Sequence, residues 1–479
     1  MEAYNNLING RWVGARSGQL RPDINPSRSA EVLGQFPDSD PADLNDALEA
    51  AAAALPKWRS LSIIARGDIL YRAADLITAR ADAIARDLTL EEGKTLPEAK
   101  GETLRAAAIL RYYAGEARQE IGEVYAATDP TTMLYTKREP LGIVGVITPW
   151  NFPIAIPAWK IAPALIYGNT VVWKPADITP LTAFHLATAL HDAGVPAGVL
   201  NLVYGRGSKL GNVLVEDSRV RGISFTGSNG VGRRIGVACA TRGAKYQLEM
   251  GGKNAAVVLA DADLELAVEM TIRGAMRSTG QKCTATSRVI VEQSIVGAFT
   301  EALAERCRKL VVGDPLDSAT YMGPLASLDQ QKTVLDYIEI GRQEGARLVT
   351  GGTQTDNTGF FVSPTVFTAV DPHSRLATEE IFGPVVAVVP ATGLEQALQL
   401  ANDSSFGLST AVFTKDLTKA LRFVDEVECG IIHVNSETAG AEPHVPFGGM
   451  KESSSSSREQ GKSAREFYTQ VKTIYLDRS

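Results

Sequence analysis

Apolar positions change period along this chain, and the change divides it. Up to about residue 120 they recur at helical spacing. Asp40 and Pro41 precede an Ala/Leu-rich stretch, 42–55, as an N-cap and a first-turn proline do. Ile64, Ile69, Leu70, Ala73, Leu76 and Ile77 mark one face of a second helix, and Leu104, Ala108, Leu110, Tyr113 and Ala114 a face of another, expected over 97–121. Beyond Tyr125 the runs shorten. A β-like stretch at 133–138 leads into strands expected at 143–148, 170–173, 200–203, 222–225 and 247–248, with helices at 181–193, 208–215 and 231–240 between them. The alternation resumes with strands near 255–259 and 288–291 and helices near 264–277, 295–309 and 329–344. Buried apolar strands alternating with helices predict parallel sheets joined by right-handed crossovers, so the fold class is α/β, with two such units in series.

A length of 479 residues exceeds what one core supports, which implies two or three domains. With 48 Lys and Arg against 55 Asp and Glu, the net charge of −7 offers no basic field, so no nucleic-acid partner is expected. No run of 18 apolar residues predicts a membrane span, and the first six residues carry neither a basic region nor an apolar one. A soluble, cytoplasmic protein is the expectation. The four cysteines, Cys239, Cys283, Cys307 and Cys429, form no C-x-x-C pair, and five histidines leave little for a metal site. Neither a metal nor a disulfide framework is expected.

Four short segments carry candidate chemistry. Cys283 follows a predicted helix and Gly280, at a turn; a thiol attacks carbonyl carbon once deprotonated, and Lys282 or a helix end can favour the thiolate. Glu249 precedes Gly251-Gly252 at a strand end, where a carboxylate facing a cleft can act as general base. Gly227, Ser228 and Gly232 lie between a strand and a helix, a place where backbone N–H groups approach a pyrophosphate, although the spacing is not G-x-G-x-x-G. Asn151, between Pro149 and Pro153, is held rigidly enough to donate its amide to an oxyanion. Each has an ordinary alternative: a buried cysteine, a solvated glutamate, a glycine-rich loop, a structural turn.

Their order and combination separate the readings. P-W-N-F-P, W-K-P-A-D, F-T-G-S, E-M-G-G-K, G-Q-K-C, E-E-I-F-G-P and P-F-G-G follow one another, and together they resemble the aldehyde dehydrogenase superfamily over essentially the whole chain. The resemblance implies a Rossmann-like cofactor domain at 1–117, 141–251 and 450–466, an α/β catalytic domain at 252–449, and a small β oligomerisation arm from 118–140 and 467–479. It implies Cys283 as nucleophile, Glu249 as general base, and Asn151 with the Cys283 backbone N–H as oxyanion site. Ile147 and Trp150 would line the cofactor cleft. Lys174 and Asp177 would hold the adenosine ribose, Gly227, Ser228 and Gly232 the phosphates, and Glu380 with Phe382 the nicotinamide ribose. NAD is the implied cofactor, with NADP tolerated because Asp177 is shorter than the glutamate common in strict NAD enzymes. A small-molecule aldehyde and further copies of the chain, as a homodimer or homotetramer, are the implied partners.

Two departures from the family pattern bear on the outcome. The C-terminal K-x-S-G-x-G-R-E becomes Lys451-Glu452 followed by five serines and Arg458-Glu459; Ser457 and Gln460 read as a capping box opening a last helix. Arg277 stands six residues before Cys283, where succinate semialdehyde dehydrogenases bind a carboxylate, but the second arginine of that clamp is replaced by Trp159. The combination of G-Q-K-C-T-A-T-S-R, H-V-P-F-G-G and S-S-S-R-E-Q-G is most similar to α-ketoglutarate semialdehyde dehydrogenases. Oxidation of that semialdehyde through a Cys283 thioester is the leading expectation. Succinate semialdehyde or a broad range of aliphatic aldehydes is the alternative substrate, and a catalytically silent binding relative is the alternative of another class.

Overall fold

Runs that are apolar throughout become strands buried on both faces. In the computed structural model, which describes residues 2–478, Lys245–Glu249, Val220–Thr226, Ile143–Ile147, Thr170–Lys174 and Leu200–Leu202 lie side by side in that order, all parallel. An N-terminal hairpin, Asn6–Ile8 and Arg11–Val13, extends the sheet antiparallel at the Leu200–Leu202 edge, giving seven strands. From the inner strand Ile143–Ile147 the chain winds one way through Thr170 and returns on the other side at Val220. This reversal opens a crevice beyond the carboxyl ends at Ile147 and Thr226, where open α/β sheets hold ligands. A second seven-stranded sheet follows, ordered Arg347–Thr350, Thr365–Thr368, Val385–Ala391, Arg288–Glu292, Ala255–Val258, Ser409–Phe413, Ile431–Val434. Only its first pair is antiparallel.

The N-terminal helices follow their signals, with corrections. Asp40 caps Pro41–Ser60 by accepting the Ala42 N–H at 2.8 Å, while Asp43 returns the bond to the Asp40 N–H at 3.0 Å. The helix runs on through Pro56 to Ser60, beyond the expected end. Leu96–Glu116 stops five residues short of the expected 121, and Ala81–Glu92 was not anticipated; it ends at Gly93 in a left-handed conformation. Four strands, Asn6–Ile8, Arg11–Val13, Leu20–Ile24 and Val32–Pro37, interrupt a stretch that reads as helical. Ala155–Ile166 was also missed, because Pro157 and Pro163 argue against a helix. Pro157 lies in the first turn, where no N–H is required, and every residue of the helix is buried.

The serine-rich segment does not open a helix at Ser457. The last helix, Ser463–Tyr468, begins six residues later, and Gln460 has φ +59°. The segment is instead zipped along Lys245–Glu249: the Ser455 N–H bonds to the Leu248 carbonyl at 2.9 Å, and the Met250 N–H to the Ser453 carbonyl at 2.8 Å. Those ladder bonds satisfy the backbone that a helix cap would have satisfied. Beyond it, Thr469–Asp477 pairs antiparallel with Thr132–Pro140 at nine positions, and Val124–Tyr125 adds a short third strand. Thr469–Asp477 is an edge strand with exposed Val471, Tyr475 and Leu476. Among the described residues no helix is long and apolar enough to cross a membrane.

Candidate active site

Cys283 is carried by a strained turn between the two sheets. The helix Leu264–Met276 ends, and Ser278, Thr279 and Gly280 follow with φ of 52°, 54° and 69°. Left-handed backbone at a β-branched threonine is costly and persists only when its surroundings impose it. Here they do. Glu98, which closes a capping box on Thr95 at the start of Leu96–Glu116, accepts the Ser278 N–H through its second oxygen at 2.8 Å. The Thr279 hydroxyl donates to the Gly323 carbonyl at 3.1 Å, and a Cβ at Gly280 would meet the Gly383 carbonyl at 2.2 Å. Asn254 donates to the Cys283 and Ala285 carbonyls at 2.7 and 2.8 Å, fixing the far side.

The proline-bounded loop after Ile143–Ile147 brings Asn151 to this turn. Its Nδ2 donates to the Gln281 carbonyl at 2.9 Å, leaving a second N–H on the same nitrogen. Lys94, wholly buried, donates to the Asn151 carbonyl at 2.7 Å and to Glu102 at 2.6 Å, and its ammonium lies 4.2 Å from the Phe152 ring centre. Glu102 also accepts the N–H groups of Ile154 and Ala155, so a carboxylate faces the positive end of Ala155–Ile166.

Two cavities meet at Cys283. One, of about 270 Å³, is lined by Trp150, Asn151, Gly227, Ser228, Glu380 and Phe382 together with the cysteine. The Trp150 and Phe382 rings stand edge to face, 5.4 Å apart. Glu380 accepts the Gly252 N–H at 2.9 Å, and a Cβ on Gly251 would lie 2.2 Å from its other oxygen, which accounts for the paired glycines after Glu249. The other cavity, about 330 Å³, opens between Phe152, Trp159 and Phe447 and carries Arg105 and Arg277 on its wall. Trp159 packs on Phe447 and donates its indole N–H to Glu459 at 2.6 Å.

This site lies within a sequence whose match to the aldehyde dehydrogenase family spans residues 12–474. The chain belongs to the aldehyde dehydrogenase family. It is 50% identical over 477 residues to the α-ketoglutaric semialdehyde dehydrogenase of Bacillus subtilis, covering 99% of this chain and 98% of that protein. Identity to the α-ketoglutarate semialdehyde dehydrogenase of Haloferax volcanii is 45%, with 98% of each covered. Among solved structures, betaine aldehyde dehydrogenase of Staphylococcus aureus in complex with NAD⁺ superposes with a TM-score of 0.96 at 36% identity, covering 99% of this chain and 95% of that one.

In this aldehyde dehydrogenase the resting thiol is protonated at neutral pH. Burial, then the negative charges of Glu380 and Glu249, push the Cys283 thiol up to about 12, while the Thr284 and Cys283 N–H groups pull the other way. Lys282 is not among the main influences on the thiol: its ammonium donates to the Arg273 carbonyl at 3.2 Å, and burial lowers its own pKa. Glu249 ends its strand buried and lines neither cavity, with its Oε2 on the Ser454 hydroxyl at 2.6 Å. Burial and then Glu459 hold its carboxyl well above the ordinary range, against Ser454, Lys160 and Arg458. Burial raises Glu380 to about 7.

The other positions named from the sequence fall into two groups. Lys174 and Asp177 pair at 2.5 Å at the end of the neighbouring strand, and Arg21 reaches Asp177 at 3.3 Å. Ser228 caps Asn229–Thr241 by backbone position only, without a side-chain bond. Ile147 and Gly232 stand off the cavity wall; a Cβ at Gly232 would lie 2.4 Å from the Met250 sulfur, so this glycine lets the helix close on the strand end. Sequence reasoning missed Lys94, Glu102, Arg105 and Ser454. No sequence signal set them apart: Glu91, Glu92 and Lys94 lie among the charged residues Asp82, Arg86, Asp87, Glu98 and Lys100.

Proposed function

We propose that this enzyme oxidises a semialdehyde carrying a carboxylate at its far end, α-ketoglutarate semialdehyde above all, to the corresponding acid, with NAD⁺ preferred and NADP⁺ tolerated. One observation carries the substrate class. The cavity that ends at Cys283 has two guanidinium groups, Arg105 and Arg277, and among the described residues neither has a carboxylate partner. Nη1 of Arg105 is buried with no hydrogen-bond partner. A buried N–H without a partner is costly, and a planar cation suits a carboxylate that can take two of its hydrogens. Arg105 thus supplies a second cation where the missing arginine at Trp159 left only one. The relatives named for α-ketoglutarate semialdehyde agree with this reading.

The residues fit a nicotinamide dinucleotide. The crevice lies at the strand-order reversal, Gly227 and Ser228 open the N-terminus of a thirteen-residue helix whose N-cap makes no side-chain hydrogen bond, and Glu380 and Phe382 line the same cavity. Glu380 and Phe382 would hold the nicotinamide ribose, Gly227 and Ser228 the pyrophosphate, and Lys174 and Asp177 the adenosine ribose. Asp177 suits a ribose hydroxyl, and Arg21 beside it tempers the repulsion of a 2′-phosphate. When bound, the cofactor accepts the hydride. The chain's own groups do the rest. The Cys283 thiol gives up its proton to solvent, the thiolate Sγ bonds to the aldehyde carbon, and the free Asn151 amide hydrogen and the Cys283 N–H stabilise the oxyanion. Loss of hydride leaves a thioester on Cys283. Water adds to its carbonyl, Glu249 takes the proton, and the thiolate departs from the acid.

We divide the chain as the sequence suggested, with 1–117, 141–251 and 450–466 around the first sheet, 252–449 around the second, and 118–140 with 467–479 as an arm. The exposed apolar edge of Thr469–Asp477 supports a homo-oligomer through that arm, and the absence of a membrane-spanning helix among the described residues fits a cytoplasmic place. Initial rates with α-ketoglutarate semialdehyde, succinate semialdehyde and an uncharged aldehyde of equal length, each with NAD⁺ and NADP⁺, test the proposal. The expected order is α-ketoglutarate semialdehyde first and the uncharged aldehyde last, with NAD⁺ favoured. Higher kcat/KM for the uncharged aldehyde would overturn the substrate class.

A further inference from the structure

Counted from its lysine, the aldehyde dehydrogenase pattern K-x-S-G-x-G-R-E has glycine at the fourth position, where this chain, one residue longer before Arg458-Glu459, has Ser454, and Ser454 touches the base. Its Oγ donates to Glu249 Oε2 at 2.6 Å and accepts the Gly449 N–H at 2.7 Å. The second bond sets the direction of the first. With a lone pair engaged by a backbone donor, the hydroxyl proton points at the carboxylate. The position is built in: Glu249 and Ser454 form an antiparallel bridge, flanked by the bonds of Met250 and Ser455, and Ser453 Oγ takes the Gly407 N–H at 3.0 Å.

The other carboxylate oxygen has a different setting. Glu249 Oε1 is buried and has no hydrogen-bond partner. Gly448 faces it, and a Cβ there would lie 2.8 Å away, so a missing side chain keeps that oxygen free. We propose that Ser454 is a positioning residue for hydrolysis of the thioester: it holds Oε2, supports the ionised carboxylate, and leaves Oε1 as the single acceptor for the water proton. In that step the water oxygen bonds to the thioester carbon, its proton passes to Oε1, and the electron pair of the C–S bond leaves with Cys283 Sγ.

The need for such a donor follows from the charges around Glu249. Glu459 and Arg458 face it from the C-terminal return, Lys160 from Ala155–Ile166, and the Cys283 thiol from the nucleophile turn. Burial and Glu459 oppose ionisation, and among the described residues Ser454 is the only group bonded to the carboxylate. A hydrogen bond to a charged group is strong enough to move a titration by about one unit or more.

The test rests on the dehydrogenase reading and separates from it. Ser454→Ala and Ser454→Gly are compared with the parent and with Ser454→Thr, which keeps the hydroxyl; Glu249→Gln sets the floor. Rapid mixing with aldehyde and NAD⁺ gives the burst of reduced cofactor, and steady-state kcat is followed from pH 6 to 10. Expected for Ala and Gly are an unchanged burst, a base limb of kcat moved up by about one unit, and a roughly tenfold slower turnover at pH 7; Thr restores the parent profile. A base limb that stays in place in folded Ala or Gly variants overturns the role of Ser454 while the burst still upholds the dehydrogenase. Loss of burst and turnover together in both variants also overturns it, because Ser454 then serves the fold. No reduced cofactor formed by the parent enzyme with any of the semialdehydes would sink the dehydrogenase reading itself.

Discussion

The two cavities that meet at Cys283 are built by different means. On the side of Glu380 the wall is set by backbone: at Gly251 and Gly252 an added Cβ would come within 2.2 Å of Glu380 Oε2 and 2.7 Å of the Cys283 carbonyl. On the side of Trp159 the wall is set by long side chains, with Lys94, Arg105, Arg277 and Lys282 facing Glu98, Glu102 and Glu437. Backbone contact leaves no room for exchange, whereas one long side chain can replace another without moving the chain. The first side therefore suits a part of the reaction that never changes, and the second a part that selects.

Cys283→Ala removes the atom shared by both cavities and has the largest expected effect, a loss of at least about 10⁴-fold in aldehyde oxidation with NAD⁺ binding retained by fluorescence titration. Appreciable residual turnover would count against the thioester route. Gly251→Ala breaks only the backbone-built side. Glu380 must shift to admit the methyl group, so kcat/KM for the cofactor is expected to fall on the order of 10²-fold with every aldehyde alike. If the loss depends on the aldehyde, the two cavities are not independent.

Arg277→Met and Arg105→Met probe the other side. Each is expected to lower kcat/KM for α-ketoglutarate semialdehyde by roughly tenfold to a hundredfold and to leave an uncharged aldehyde within about twofold. Equal losses on both substrates would assign the arginines to the fold. The smallest effect concerns the sulfur. A thiol pushed up to about 12 gains thiolate tenfold for each unit of pH, so iodoacetamide inactivation of the free enzyme should still be steepening at pH 9. An ordinary thiol, near 8.5, would already be levelling off there. A plateau by pH 9 contradicts the electrostatic setting described for Cys283.

The same division explains what the sequence disclosed. Gly251, Gly252 and Gly280 are legible because close backbone approach has one chemical solution, and Cys283 and Glu249 stand beside them, while Asn151 was marked by Pro149 and Pro153 on either side. Lys94 and Arg105 were not legible: on Leu96–Glu116 and just before it they read as an ordinary charged surface, although in the fold Lys94 is buried against Glu102, Asn151 and Phe152 and Nη1 of Arg105 is buried. The helix Ala155–Ile166 was itself hidden by Pro157 and Pro163; the missing N–H matters little in the first turn at Pro157, while at Pro163, inside the helix, one ladder bond is given up. Ser457 and Gln460 matched a capping box by spacing alone, but the strand Lys245–Glu249 offered the same backbone groups a ladder, and tertiary pairing prevailed over the local motif. The strands and helices expected between 143 and 344 were found to within about two residues, since burial on both faces leaves a continuous apolar run, whereas the five strands of the second sheet beyond residue 344 were not expected.

The left-handed turn at Ser278–Thr279–Gly280 also fixes when the enzyme comes alive. Its clamps come from far along the chain, Glu98 being 180 residues before Ser278 and Asn151 130 before Gln281. Contacts so distant in sequence form late, after each sheet has gathered its own helices. A half-assembled chain on or off the ribosome therefore carries an ordinary solvent-exposed thiol with neither an oxyanion site nor a neighbouring base. The oxidation proposed for Cys283 therefore needs the completed fold, which brings the Asn151 amide to its turn.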